Sequence, residues 1–215
     1  MSTAVPPISA TFAGSYPATL EARLDEPLSR WKWLVKWFLA IPHYVVLVFL
    51  WVAFVLVTIA AFFAILFTGR YPRGLFEFNL GVMRWTWRVA YYATTGLGTD
   101  RYPPFSLGPE PDYPATLDVE YPERLSQWKP LVKWLFAIPQ LVIVGLFMGG
   151  WGFHFFWSPG VVGILTLVGI VIYAFRQLYP AEIFDFIIGM VRWSFRVGAY
   201  VALMRDEYPP FRLEP

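Results

Sequence analysis

The chain has 215 residues, of which 57% are hydrophobic and 20% aromatic, while only 15% are charged. Soluble domains are less apolar and carry about 25% charged residues, so this composition favours a membrane protein. The absence of cysteine excludes disulfides, thiolate metal sites and a cysteine nucleophile. The net charge of +2, spread along the chain, gives no reason to expect nucleic acid as a partner.

The sequence contains two copies of one repeated unit. Residues 16–43 (YPATLEARLDEPLSRWKWLVKWFLAIPH) align without a gap on residues 113–140 (YPATLDVEYPERLSQWKPLVKWLFAIPQ), with most positions identical. Both copies close with nearly the same segment, DRYPPFSL and DEYPPFRL. We therefore divide the chain into a polar tail (1–12), a first membrane repeat (13–109) and a second membrane repeat (110–215) with an insertion near 148–160.

Each repeat begins with a predicted strand, followed by an amphipathic helix. TLEARL and TLDVEY alternate polar and apolar residues, and the closing segments FSL (105–107) and FRL (211–213) are short enough to pair with them, one pair per repeat. Ser29 and Ser126 are the predicted N-caps of the helices that follow. These helices have a basic edge typical of an interfacial helix, and the Ile-Pro pair after each should break or bend it.

Tryptophan and lysine are concentrated in these helices, in the phrases RWKWLVKW and QWKPLVKW. Tryptophan prefers the headgroup layer of a membrane, and lysine can reach water while its stem stays apolar. Both phrases precede a long apolar segment, so they predict interfacial anchors. The predicted anchors are Trp31, Lys32, Lys36, Trp37, Trp128, Lys129, Lys133 and Trp134.

Long apolar segments follow in both repeats. Residues 43–68 contain no acidic or basic residue apart from His43, and about 20 apolar residues are enough to cross a bilayer. In the second copy, residues 140–175 are interrupted by Gly149-Gly150 and by the sequence SPG at 158–160. We predict a single crossing there, whose far end protrudes as an excursion broken by glycine and proline.

The second helix of each repeat carries a charged stripe on one face. The two stripes are Glu77, Gly81, Arg84 and Arg88, and Asp185, Gly189, Arg192 and Arg196. Since charge at the bilayer centre is costly, each stripe should face protein, water or headgroups. We expect this helix to span the membrane; the alternative is a tilted helix that lies at the membrane interface.

Three roles are open for the four arginines, which we name the stripe arginines. They could pair with Glu77 and Asp185 and so hold the helices together. They could instead bind phospholipid headgroups, because a guanidinium group can form two hydrogen bonds to the oxygens of one phosphate. They could also line a path for a conducted anion or lipid. The internal excess of positive charge makes lipid or anion binding the most specific of these hypotheses.

These elements predict an all-α integral membrane protein built from two tandem pseudo-symmetric repeats. Each repeat would contain an interfacial helix and a two-helix transmembrane hairpin, with short cytoplasmic β-strands before and after it. The two hairpins are expected to be parallel. Basic residues are concentrated on the side of the chain ends, so the positive-inside rule predicts a multi-pass protein with both termini cytoplasmic. No signal-peptide pattern precedes the first span, which should itself direct insertion.

The segments LVKWLFAIP, FTGRYPRGLFEFNLGVMRWTWRV and GTDRYPPF resemble a bacterial membrane-protein family known as DUF4389. Its members contain one or two copies of this unit, and the resemblance covers nearly the whole chain. It implies an integral protein of the bacterial cytoplasmic (inner) membrane, but no activity and no catalytic residues. The insertion and the second hairpin tip, RQLYPAE in place of GRYPRG, depart from the pattern.

No catalytic or cofactor motif is evident in the sequence. The only histidines are His43 and His154, which we interpret as interfacial rings in preference to a metal or haem site. The glycines of TTGLGTD follow a helix instead of opening one, so they do not form a phosphate-binding loop. Asp100 and Asp206 are expected to form turns or to pair with arginines.

We therefore expect a non-catalytic protein with no cofactor and no metal. It would act as an accessory or scaffold subunit or a homo-oligomer, and would bind anionic phospholipid through the stripe arginines. Its partners would be membrane lipids, other membrane subunits or further copies of itself. A small lipid or anion transporter or channel is the alternative.

Overall fold

The computed structural model describes residues 16–149 and 160–214. This part of the chain is mostly helical and contains one small sheet. Its elements, in chain order, are β1 (Ala18–Ala22), α1 (Trp33–Leu39), α2 (Ile41–Thr68), α3 (Arg73–Ala93), β2 (Ala115–Val119), α4 (Lys129–Met148), α5 (Gly160–Arg176) and α6 (Ala181–Val201).

The elements form three layers, with α3 and α6 in the middle. Helix α2 packs on one face of α3, where Trp51 donates a hydrogen bond to Thr86 (3.2 Å). Strand β2 packs on the opposite face of α3, where the Arg84 guanidinium donates to the Leu117 carbonyl (3.0 Å). Helix α6 is packed in the same way, between α4 and α5 on one face and β1 on the other.

Helices α3 and α6 run in opposite directions. Met83 lies against Gly198, and further along α3 the ring of Tyr91 contacts that of Phe184 near the start of α6 (centroids 6.3 Å apart). In agreement with this direction, the Leu125 amide before α4 donates to Gly69 in the turn after α2 (2.8 Å). The predicted parallel arrangement of the two hairpins is therefore wrong.

The sheet explains this reversal, because it pairs the two entering strands with each other. β1 and β2 are antiparallel, with Leu20 opposite Leu117, which are equivalent positions of the two copies. The closing segments 105–107 and 211–213 are not strands, so the prediction of one strand pair within each repeat is wrong. Alternation identifies a strand and its buried face, but it does not identify the partner strand.

The Ile-Pro pairs interrupt the helix in the first copy but not in the second. Helices α1 and α2 meet at Ala40, where helical hydrogen bonds continue from Ala40 to Lys36 and from Tyr44 to Ala40. Helix α4 continues through Pro139 without a break. Proline removes one hydrogen bond of a helix, and here the surrounding turns remain helical.

The predicted N-caps are also wrong. The N-caps are Lys32 for α1 and Trp128 for α4, and neither forms a capping hydrogen bond through its side chain. The amides of Ser29 and Ser126 instead donate to the carboxylates of Asp100 and Asp206.

Helix α5 continues in the direction of α4 instead of returning beside it. Gly160, at the start of α5, contacts the backbone of Gly149 at the end of α4. From Ile138 onward, α4 and α5 together contain as many residues as the 28-residue helix α2. The insertion therefore interrupts the middle of a helix and not its far end. The insertion itself, residues 150–159 with His154, lies outside the described residues.

The outer helical layer exposes an extensive apolar surface. Within the described residues, α2 and α4 are long and apolar enough to cross a membrane. Only 17% of the apolar segment of α2 and 22% of that of α4 is buried inside the protein. A core helix of a soluble protein would be mostly buried. On the opposite side of the molecule, the sheet exposes Thr19, Glu21 and Asp118. One face of the protein is thus apolar and the other polar.

Candidate functional site

Two of the stripe arginines protect the open edges of the sheet. Arg84 Nε donates to the carbonyl of Leu117 in β2, and Arg192 Nε donates to the carbonyl of Leu20 in β1, both at 3.0 Å. Arg84 also pairs with Asp118 in the same strand (2.6 Å). Unpaired edge carbonyls invite association with other strands, and these guanidinium groups occupy the central carbonyl of each edge.

The other two stripe arginines hold the closing segments against the helices. Arg88 and Arg196 are each 2% exposed. Arg88 donates to the carbonyls of Ser106 and Gly108, and Arg196 donates to those of Arg212 (3.4 Å) and Glu214 (2.9 Å). The stripe arginines therefore bind backbone carbonyls of their own chain.

The glycines of the two stripes make room for the same closing segments. A Cβ atom added at Gly81 would lie 2.8 Å from the Cβ and carbonyl oxygen of Leu107, and one at Gly189 would lie 2.9 Å from Leu213 Cβ. These glycines thus allow close approach of the segment after each helix.

Glu77 and Asp185, the predicted charge partners, are exposed. Among the described residues, neither forms an ion pair with a stripe arginine; Arg84 pairs with Asp118, and Arg88 lies 4.0 Å from Glu110. The structure therefore brings the arginines together with the sheet and the closing segments, and leaves these two carboxylates apart.

A cleft of about 370 Å³ opens beside Arg84 and Arg88. Its lining also includes the carboxylate residues Glu21, Glu110 and Asp118. An anion in this cleft would meet three negative charges as well as two positive ones. The cleft is consequently a poor match for a phosphate group. The hydrogen bonds of Arg84 to the sheet and of Arg88 to the first closing segment explain instead why arginines occur there.

The predicted interfacial anchors divide into two groups. Trp31, Trp37, Trp128 and Trp134 are exposed, as an anchor in the headgroup layer requires. Lys32 and Lys129 keep part of their surface exposed, near Asp100 (3.7 Å) and Asp206 (3.8 Å).

Lys36 and Lys133 are not anchors, because both are buried. Lys36 Nζ lies 2.8 Å from Asp100 and donates to the Thr99 carbonyl (2.7 Å). Lys133 lies 2.8 Å from Asp206 and donates to the Arg205 carbonyl. The long lysine stem carries the amine inward to a cluster of acceptors. We name these two buried pairs the clasps.

Each clasp joins the start of a helix to the segment that follows α3 or α6. The Ser29 amide donates to Asp100 and the Ser126 amide to Asp206, both at 2.7 Å. Burial by itself would raise the pKa of Asp206, but the hydrogen bonds from Lys133 and Ser126 outweigh it and hold this pKa below its ordinary value. The sequence contained a signal for this contact, since lysine and aspartate recur at equivalent positions of both copies.

His43 is fully buried and is not an interfacial ring. Its Nδ1 accepts a hydrogen bond from the Trp85 indole (3.0 Å), and its ring stacks on Phe105 (centroids 3.9 Å apart). In the part of the chain that the structure describes, no cluster of three or more His, Cys, Asp or Glu side chains could hold a metal ion.

Residues 30–106, which run from the first tryptophan phrase to the first closing segment, match the model of a known protein family. The match is to DUF4389, a domain of unknown function. DUF4389 thus covers α1, α2, α3 and the first clasp, and the match does not extend to the second copy. No curated protein and no solved structure matches the chain.

Proposed function

We propose that the protein is a non-catalytic membrane protein that lies within one leaflet. In this arrangement α2, α4 and α5 face the hydrocarbon and the sheet faces water. The observation that carries the proposal is the opposition of an apolar face and a polar face across the layer of α3 and α6. A soluble protein would not expose side chains such as Phe49, Leu56 and Phe175 on one surface.

The position of the sheet favours helices that lie in the membrane plane. Arg84 and Arg192, which hold the sheet, lie near the middle of α3 and α6. If the helices crossed the bilayer, the sheet would lie at mid-depth with Glu21 and Asp118 exposed to lipid. Open sheet edges and lipid-exposed carboxylates at that depth are strongly unfavourable. This arrangement differs from the multi-pass topology expected from the sequence.

The polar face would then be available for assembly in water, as an accessory or scaffold subunit or in a homo-oligomer. The described ends of the chain are close together, since the Arg196 guanidinium lies over the ring of Tyr16 (5.8 Å) and donates to the Glu214 carbonyl (2.9 Å). Both termini would therefore lie on one side of the membrane, which we propose to be the cytoplasmic side of the bacterial inner membrane. Anionic lipid would be a further partner.

Single cysteines test the orientation, because the chain has none of its own. Arg30→Cys and Glu123→Cys place exposed thiols near opposite ends of α2. A membrane-impermeant maleimide should label both from the same side of oriented vesicles. Phe49→Cys, in the apolar face, should stay unlabelled and serves as the control. Labelling of the two ends from opposite sides would refute the in-plane arrangement.

A small lipid or anion transporter or channel is the second candidate. The antiparallel directions of α3 and α6 support it, because inverted repeats are common in transporters. That function requires helices that cross the bilayer, so the labelling experiment distinguishes the two candidates.

A further inference from the structure

We propose that a cleft at the turn between α2 and α3, lined by Arg70 and Arg124, binds the phosphate of an anionic phospholipid. This inference rests on the proposed membrane location and adds a specific lipid site to it. The cleft has a volume of about 570 Å³ and is formed by residues 68–70 and 124–127. None of the stripe arginines lines it.

Both guanidinium groups of this cleft are available to a ligand. Arg70 and Arg124 are exposed, and among the described residues neither guanidinium has a hydrogen bond or an ion pair. The cleft lining contains no carboxylate. This separates it from the cleft beside Arg84 and Arg88, where three carboxylates offset the positive charge. Two free guanidinium groups without a competing acid match a phosphate diester.

The two arginines belong to segments that are fixed to each other. The Leu125 amide donates to the Gly69 carbonyl (2.8 Å), and the Gln127 side chain donates to the Phe67 carbonyl (3.1 Å). Gly69 has φ +66°, a left-handed conformation that favours glycine, and a Cβ there would lie 3.3 Å from the Leu125 carbonyl oxygen. The backbone that carries the arginines is thus ordered before a ligand arrives, which lowers the entropy cost of binding.

The surroundings of the cleft favour a phospholipid over a free phosphate ion. Phe67 is 75% exposed and Trp128 is 62% exposed, and each neighbours the cleft residues in sequence. They continue the apolar face to the rim of the cleft, where acyl chains would lie against them.

The cleft is specific to one end of the molecule. The positions equivalent to Arg70 and Arg124 in the other copy are Leu178 and Pro27, neither of which can bind phosphate through its side chain. The pair of arginines is therefore present at one end of the molecule only, and the opposite end provides an internal comparison.

The test compares Arg70→Gln/Arg124→Gln with Arg23→Gln/Arg30→Gln, which removes the same charge from exposed arginines outside the cleft. Native mass spectrometry would measure phosphatidylglycerol retained from mixed phosphatidylglycerol and phosphatidylcholine. We expect the apparent affinity for phosphatidylglycerol to fall about tenfold or more in the cleft variant, because charge-assisted hydrogen bonds are lost. The control variant should retain the lipid at the wild-type level. Equal retention by both variants would overturn the site.

Two further measurements separate the possible failures. Inorganic phosphate should compete with phosphatidylglycerol only weakly, and competition at equal concentrations would overturn the assignment to a lipid. Both variants should still co-float with vesicles of the same composition, because the apolar face is unchanged. If the wild-type protein did not float, the proposed membrane location would fail; a floating cleft variant with normal lipid retention would refute the site alone.

Discussion

Lys36 and Asp100 form a buried ion pair, 2.8 Å from Nζ to Oδ1, that ties the first helix to the segment after α3. Lys133 and Asp206 form the same pair at the same distance in the second copy. The rings of Tyr92 and Tyr200 lie 5.5 and 5.2 Å from the two amines. The clasps therefore fix both ends of the apolar layer to the middle layer.

Breaking one clasp should destabilise the protein strongly. Lys133→Met leaves the Asp206 carboxylate without its closest cation, and loss of one partner from a buried pair costs about 3–5 kcal/mol. Denaturant unfolding in detergent would measure the loss. The double variant Lys133→Met/Asp206→Asn should recover part of it, because no charge is left unpaired; a double variant as unstable as the sum of the single variants would contradict this account.

The second clasp also predicts a direction of pH dependence. Because the pKa of Asp206 is held below its ordinary value of 3.8, the pair contributes stability above that pH and loses it as the pH falls through the lowered pKa. The unfolding midpoint should therefore drop in acid, and the drop should be smaller in Asp206→Asn than in the wild type. An identical acid response in both proteins would exclude this origin.

The stripe arginines should affect stability more than lipid binding. Arg88→Gln removes a charged donor from two backbone carbonyls, which is worth about 1.5–3 kcal/mol per hydrogen bond. We expect a lower free energy of unfolding with unchanged retention of anionic phospholipid. Normal stability together with lost lipid would instead support the lipid-binding role predicted from the sequence.

The stripe glycines provide a test with a matched control. In Gly81→Ala the new methyl group would contact Leu107, and overpacking of this kind costs about 1–3 kcal/mol. Gly74→Ala, in the same helix, meets nothing within 4 Å and should be neutral or stabilising. Equal effects of the two substitutions on the unfolding midpoint would show that the close approach of the closing segment is not important.

Local features could be predicted from the sequence, and spatial relations largely could not. Alternation correctly located β1 and β2, and the uncharged segment before Thr68 identified α2 as a candidate span. The pairing of Leu20 with Leu117 was missed because strand pairing depends on contacts between distant parts of the chain.

The candidate sites show the same limit. Tryptophan preference for the interface predicted exposed rings, and Trp31 and Trp134 are exposed. The same reasoning placed Lys36 in water, because a lysine stem allows either an outward or an inward amine. Only the position of Asp100 in space decides between them. The recurrence of both residues in each copy was the available clue.

The register of the sheet has a consequence for the evolution of this architecture. Because Leu20 faces its own equivalent, Leu117, each strand is completed by the other copy of the same unit. A chain with a single copy would have only one such strand, and its arginine would have no neighbouring edge to cap. Such a chain would need a second molecule to complete the sheet. This chain supplies both strands of its sheet itself, so the partner of each strand is present at every protein concentration.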